Sequence, residues 1–136
     1  MNVNKALDCK NILVVDDVPA IRSLLSDFLA TRGYRIETAA TVGDAHHHLD
    51  NTEFSLVITN LQLDRTHELS GCDVVRHAKN ISPPLPVIVI TGGASSETIA
   101  RISKLGADVF LSKPIALGQL HRFVEELLAR TSPALA

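Results

Sequence analysis

Three apolar runs in this chain lead directly to polar residues suited to phosphoryl chemistry. Ile12-Leu13-Val14-Val15 runs into the acidic pair Asp16-Asp17, Val87-Ile88-Val89-Ile90 into the hydroxyl of Thr91, and Val109-Phe110-Leu111 is followed at one residue's distance by Lys113-Pro114. Two adjacent carboxylates repel, and a divalent cation or an ammonium such as Lys113 would offset that repulsion. A threonine hydroxyl can donate to a phosphoryl oxygen, and a lysine can neutralise the charge that transfer leaves on the equatorial oxygens. The missing part is an oxygen nucleophile. A fourth run, Leu56-Val57-Ile58-Thr59, ends instead in the amide of Asn60, which cannot accept a phosphoryl group.

Groups on separate segments act together only if a scaffold brings the segment ends to one place. The four runs are short and continuous, as in strands buried on both faces of a parallel sheet. Between them the pattern changes to helical spacing. Ile21, Leu24, Leu25, Phe28 and Leu29 form one apolar stripe after Pro19, and Gly33 is placed to end that helix. Arg35 to Ala39 reads as an edge strand, and Thr41 caps a helix carrying Val42, Ala45 and Leu49. Phe54 to Thr59 is the third strand, and Ser70-Gly71 opens a helix with Val74, Val75 and Ala78 inward, broken by Pro83, Pro84 and Pro86. Ile99, Ile102 and Leu105 line the next helix up to Gly106; Leu117, Leu120, Val124, Leu127 and Leu128 line the last. Five β-α units in strict alternation predict an α/β, doubly wound sheet whose carboxyl edge gathers Asp16, Asp17, Asn60, Thr91 and Lys113 on one rim.

Composition narrows the function. A chain of 136 residues holds one domain, with a core at about 11–130 and short tails, and leaves no room for a separate effector. Its 46% apolar share includes one Tyr, four Phe and no Trp, so the core must be aliphatic. A formal charge of -2 argues against direct nucleic-acid binding. The apolar runs are strand-sized and Met1 to Asn11 is polar, which predicts a cytoplasmic protein with no membrane segment. Cys9 and Cys72 lack metal-site or redox spacing and read as free thiols. His46-His47-His48 are consecutive on a helix, pointing about 100 degrees apart, and read as incidental surface histidines.

Taken as a set, VVDD at 14 to 17, VITNLQL at 57 to 63, VIVITGG at 87 to 93 and GADVFLSKP at 106 to 114 resemble the receiver domain of two-component response regulators. The resemblance runs from about Asn11 to Arg130. It implies the flavodoxin-like (βα)5 fold of CheY-like proteins, with strand order 2-1-3-4-5. On it, Asp16 and Asp17 are the metal-binding pair for Mg2+, the backbone carbonyl of Gln62 completes the protein's ligands, Thr91 is the switch hydroxyl, Phe110 the rotating aromatic, and Lys113 the lysine of the site, its bond to Pro114 cis. Asn60 falls on the phospho-acceptor position. The resemblance further implies a histidine kinase or phosphotransfer protein, an effector protein, or a second copy as partner, meeting the face of the fourth helix, fifth strand and fifth helix near Glu97, Arg101, Lys104, Arg122 and Glu126.

Two departures qualify that expectation. With an amide at residue 60, stable phosphorylation is not expected and Mg2+ should be held weakly or not at all. The stretch Leu63 to Ser70 is longer and more charged than in receivers, and its Asp64 reads as a solvated loop acid rather than a substitute nucleophile. Asn60 marks either a natural pseudo-receiver or a receiver whose aspartate was replaced. Outside signalling, the residues leave open a small metal-dependent phosphatase built on Asp16, Asp17 and Lys113, although no insertion is large enough for a lid. A flavin binder of the same fold is disfavoured by the acidic first loop.

Overall fold

The computed structural model describes residues 10–63 and 69–130. Expectations about Cys9, Asp64 and most of the 63–70 loop fall outside the described residues. Five strands, β1 (Asn11–Val15), β2 (Arg35–Ala39), β3 (Leu56–Asn60), β4 (Val87–Thr91) and β5 (Val109–Ser112), form one sheet in the order β2-β1-β3-β4-β5. Every neighbouring pair is parallel. Between and after them run α1 (Pro19–Ala30), α2 (Val42–Asn51), α3 (Gly71–Ile81), α4 (Ser96–Lys104) and α5 (Leu117–Arg130). This is the expected doubly wound, flavodoxin-like arrangement.

The alternation of side chains along each strand splits the core into two layers. Leu13, Val15, Val57, Val87 and Val89 pack with residues of α2, α3 and α4, including Leu49, Val75 and Ile102. Ile12, Val14, Leu56, Ile58, Ile88, Ile90 and Leu111 pack with Leu25 and Leu29 of α1 and with Leu120, Val124, Leu127 and Leu128 of α5. Strands β3 and β4 are buried along their whole length because they are central, while β2 is mostly exposed at the edge.

The span of β3 and the burial of Leu24 differ from expectation. Pairing of β3 with β1 begins at Leu56 opposite Ile12, so Phe54 precedes the strand. At the other end Asn60 pairs with Ile90, which makes it a strand residue whose direction the sheet dictates. Leu24 is 45% exposed, because α1 turns Leu25 and Leu29 to the sheet and leaves Leu24 about 100 degrees away.

Local signals set the helix ends. Gly33 adopts φ +94°, its N–H donates to the Ala30 carbonyl at 3.0 Å, and Tyr34 N–H reaches Leu29 O at 3.4 Å. These crossed bonds satisfy the carbonyls left over at the end of α1, and the left-handed residue between them suits glycine. The turn at Gly106 after α4 repeats the pattern. Thr41 Oγ1 accepts the Asp44 N–H at 3.0 Å, capping α2. Thr41→Ala is expected to cost about 1 kcal/mol, read as a fall in urea midpoint at unchanged slope.

One cross-link had no sequence signal. Lys79 of α3 donates to Leu85 O at 2.6 Å and to Asp108 Oδ2 at 3.2 Å, and the same Asp108 oxygen accepts the N–H of Val87 at 2.8 Å. Asp108 and Lys79 are 29 residues apart, so only the fold brings them together.

Candidate functional site

The carboxyl ends of β1, β3 and β4 and the loop after β5 meet at one rim, as expected from the sheet order. The acids of the pair differ sharply there. Asp16 is 2% exposed, whereas Asp17 is turned to solvent. Strand-like pairing continues through Asp16, whose N–H donates to Ala39 O at 3.1 Å. Its Oδ1 accepts the Val18 N–H at 2.9 Å, and its carbonyl accepts the Arg22 guanidinium at 2.7 Å. This contact of Arg22, one turn into α1, carries no sequence signal, since its partner is a backbone atom.

Lys113 Nζ lies 3.8 Å from Asp16 Oδ2, and the Lys113-Pro114 peptide is cis as expected. Lys113 N–H donates to Thr91 O at 2.8 Å, which ties the lysine to the end of β4. Thr91 is 5% exposed, and its hydroxyl accepts from Gly93 N and Ala94 N, each at 2.9 Å. With both lone pairs engaged, its own proton is available to an acceptor in front of it. A Cβ on Gly92 would meet nothing within 4 Å, so this side of the rim is open. Phe110 is half-buried on β5 and packs with the layer beneath α2, α3 and α4.

Burial raises the Asp16 carboxyl above its ordinary 3.8, with the Val18 N–H and Lys113 opposing and Asp17 adding to the rise. A raised value means that the folded chain favours the protonated acid. Its contribution to stability is therefore complete below 3.8 and is lost as pH rises through the raised value. In buffer with a chelator, the Tm of Asp16→Asn minus that of the unaltered chain is expected to grow between about pH 4 and about pH 7, because the amide never ionises. A difference that shrinks over that range contradicts the dominance of burial.

Asn60 is 6% exposed at the end of β3. Its Nδ2 donates to the Gln62 carbonyl at 2.5 Å. That bond requires the NH2 group to face Gln62 O, since two oxygens would repel. Asn60, Gln62, Leu69, Thr91, Ser95 and Lys113 line an open cleft of about 550 Å3. The structure thus brings Asn60, Gln62, Thr91 and Lys113 together around one space, with Asp16 in contact with Lys113. Leu69 and Ser95 were not anticipated; both enter through the loops that follow β3 and β4.

Receivers typically hold Mg2+ at an acidic pocket, and the donors present here do not fit that ion well. The Gln62 carbonyl, which would face a cation, instead accepts from the Asn60 amide. Asp16 Oδ1 is taken by Val18 N–H and its Oδ2 faces Lys113. Among the described residues no three His, Cys, Asp or Glu side chains converge as metal ligands. A hard divalent cation prefers several charged oxygens at short range, and an amide N–H donor in their midst opposes it.

Comparison with known proteins agrees with the fold. The model of the response regulator receiver domain matches residues 12–125. The response regulator MprA of Mycobacterium sp. (strain KMS) is 37% identical over 90% of this chain and 52% of its own length. Response regulator protein PilR of Pseudomonas aeruginosa is 35% identical over 89% of this chain and 26% of its own. The chain thus spans about a quarter to about half the length of such curated relatives. Among solved structures, a CheY-like receiver domain protein from Methanospirillum hungatei JF-1 superposes with TM-score 0.84 at 30% identity, covering 90% of this chain and 96% of that one. The beryllofluoride-activated NtrC4 receiver domain dimer gives 0.81 at 30% identity, covering 90% and 98%. With the strand order and the matched span in agreement, the chain belongs to the response regulator receiver domain family of two-component signalling.

Proposed function

We propose that this chain is a pseudo-receiver, a signalling module that works by binding partner proteins and does not accept a phosphoryl group. The observation that carries the reading is the Asn60 amide, buried at the end of β3 and bonded to the Gln62 carbonyl. A primary amide is no nucleophile toward phosphorus, and its N–H occupies the carbonyl that a cation would need. Asp16, Asp17 and Gln62 are then remnants of a metal site; Thr91 and Phe110 keep the places of a switch whose chemical trigger is gone. The equilibrium of the output surface is set by partner binding.

The output surface in this reading is α4, β5 and α5, where Glu97, Arg101, Lys104, Arg122 and Glu126 are all exposed. A histidine kinase, a phosphotransfer protein or an effector would meet it in the cytoplasm; the NtrC4 neighbour, a dimer, adds a second copy of this chain to the candidates. Among the described residues no helix is long and apolar enough to cross a membrane. A second reading is supported by the contacts that Asp16, Thr91 and Lys113 keep at the rim: a phospho-accepting receiver whose aspartate has been replaced. Intact mass after treatment with acetyl phosphate tests the first reading directly, since a phosphorylated unaltered chain would overturn it.

A further inference from the structure

Outside the cleft, an arrangement of side chains joins α2 to α3. His46 and His77 stack with ring centroids 4.0 Å apart and planes 18° from parallel. His77 Nε2 lies 2.8 Å from Asp50 Oδ1 on α2, and His46 Nε2 lies 3.3 Å from the Asp73 carbonyl on α3. Both contacts join residues 27 apart, so they pin the helices in one register. Oxygen is the partner in each, hence both Nε2 atoms carry hydrogen and a further proton must add at Nδ1. The expectation of incidental surface histidines is corrected here for His46, whose partner is distant in sequence.

Charge decides what protonation does, and imidazole is the side chain that changes charge near neutrality. A proton on His77 would turn its bond to Asp50 into a charge-assisted pair. A second, on His46, would place two cationic rings face to face at 4.0 Å. Asp50 is the carboxylate in contact, since that of Asp73 is held by Arg76 at 2.8 Å. Of the other charged or titratable groups on or facing the two helices, Lys79 is directed to Leu85 O and Asp108, the His47 ring Nδ1 lies 3.4 Å from Asn51 Nδ2, His48 lies edge-on to Phe54, Asp44 sits in the capped first turn of α2, and Cys72 is a buried thiol near Asp73, Arg76 and Arg101 of α4. Among the described residues no third ligand joins the pair to make a metal site.

We propose that the His46-His77 stack is a proton-operated clasp between α2 and α3, closed when neutral or singly protonated and opened when both rings carry charge. The first residue of α3 carries the effect to the rim: Gly71 packs against the backbone of Asn60 and Leu61, and its N–H donates to Leu61 O at 2.7 Å. The clasp stands on this geometry and does not depend on the phosphorylation chemistry of residue 60.

Amide NMR spectra of the whole chain between about pH 8 and about pH 5 test it. The Leu61, Gly71 and Cys72 amides are expected to move together with the ring signals of His46 and His77. His46→Gln is expected to abolish that movement, and His121→Gln, on α5, to leave it in place. The Tm of the unaltered chain is expected to fall about 3 °C or more further than that of His46→Gln from about pH 7 to about pH 5, with His77→Gln as a second variant giving the same result. Amides at Leu61 and Gly71 that ignore pH, or that move equally in His46→Gln, overturn the proposal, as does an equal fall in Tm.

Discussion

Treated with acetyl phosphate and Mg2+, an Asn60→Asp variant is expected to gain the mass of one phosphoryl group, whereas the unaltered chain gains none. The substitution is nearly isosteric, so the end of β3 keeps its register with Ile90 and the new carboxylate occupies the place of the amide. Two changes follow. An anionic oxygen becomes available to attack phosphorus, with acetate leaving, and the N–H that engaged the Gln62 carbonyl is gone, which frees that oxygen and adds a third carboxylate beside Asp16 and Asp17. Thr91 and Lys113 already line the same cleft. Against a nucleophile that is absent altogether, the rate difference is expected to be several orders of magnitude. The same variant should show stabilisation by millimolar Mg2+ that the unaltered chain lacks. If neither protein gains mass, the rim has lost more than its nucleophile, and the reading of a replaced aspartate in an otherwise competent site is excluded.

Gly71→Ala is expected to destabilise the fold by about 3 kcal/mol, a loss of roughly 10 °C in Tm. In a helix this exchange ordinarily stabilises, because glycine has more backbone freedom to lose on folding. Here the added Cβ would overlap the Asn60 carbonyl oxygen and come within 2.8 Å of both Leu61 Cα and Leu61 O. All three are backbone atoms, held in place by β3 and by the bond from Leu61 N–H to Ile90 O, so they cannot step aside as a flexible side chain could. Gly118→Ala, in α5, is the control: nothing lies within 4 Å of its Cβ, and a gain of about 0.5 kcal/mol is expected. Urea denaturation of the two variants checks the pair. A cost at Gly71 below about 1 kcal/mol would mean that α3 is free to slide away from the rim, contrary to the close approach described.

Ser70 shows how the start of α3 meets the end of β3. Its side chain makes no capping bond to α3, although it stands at the first position before the helix. Its Oγ instead accepts the Leu63 N–H at 2.7 Å, tying the start of α3 to the chain beyond β3 beside the Gly71 contact. The step Ser70-Gly71 was legible in the sequence as a helix start. That the serine would serve the preceding loop and the glycine would serve a backbone approach was not, because both partners lie on the strand side of the loop.

The sequence by itself determined the elements, their alternation and the identity of the rim. Continuous Val and Ile runs, helical spacing of Leu, and the glycines and prolines between them are local signals, and a parallel sheet follows from their order. The residues that could do chemistry were legible for the same reason: each stands at the end of such a run. Tertiary structure alone decided how those groups stand toward one another. Asp16 is buried while Asp17, its neighbour, is exposed, because one lies against the sheet and Lys113 and the other faces water. Arg22 meets a carbonyl, Lys79 meets Asp108, and His46 meets His77 across helices. None of these pairs has a local signature, since contacts between distant segments depend on the register in which the segments pack. The amide at residue 60 was plain to read; that it turns its N–H onto the Gln62 carbonyl depends on the path of the chain beyond β3.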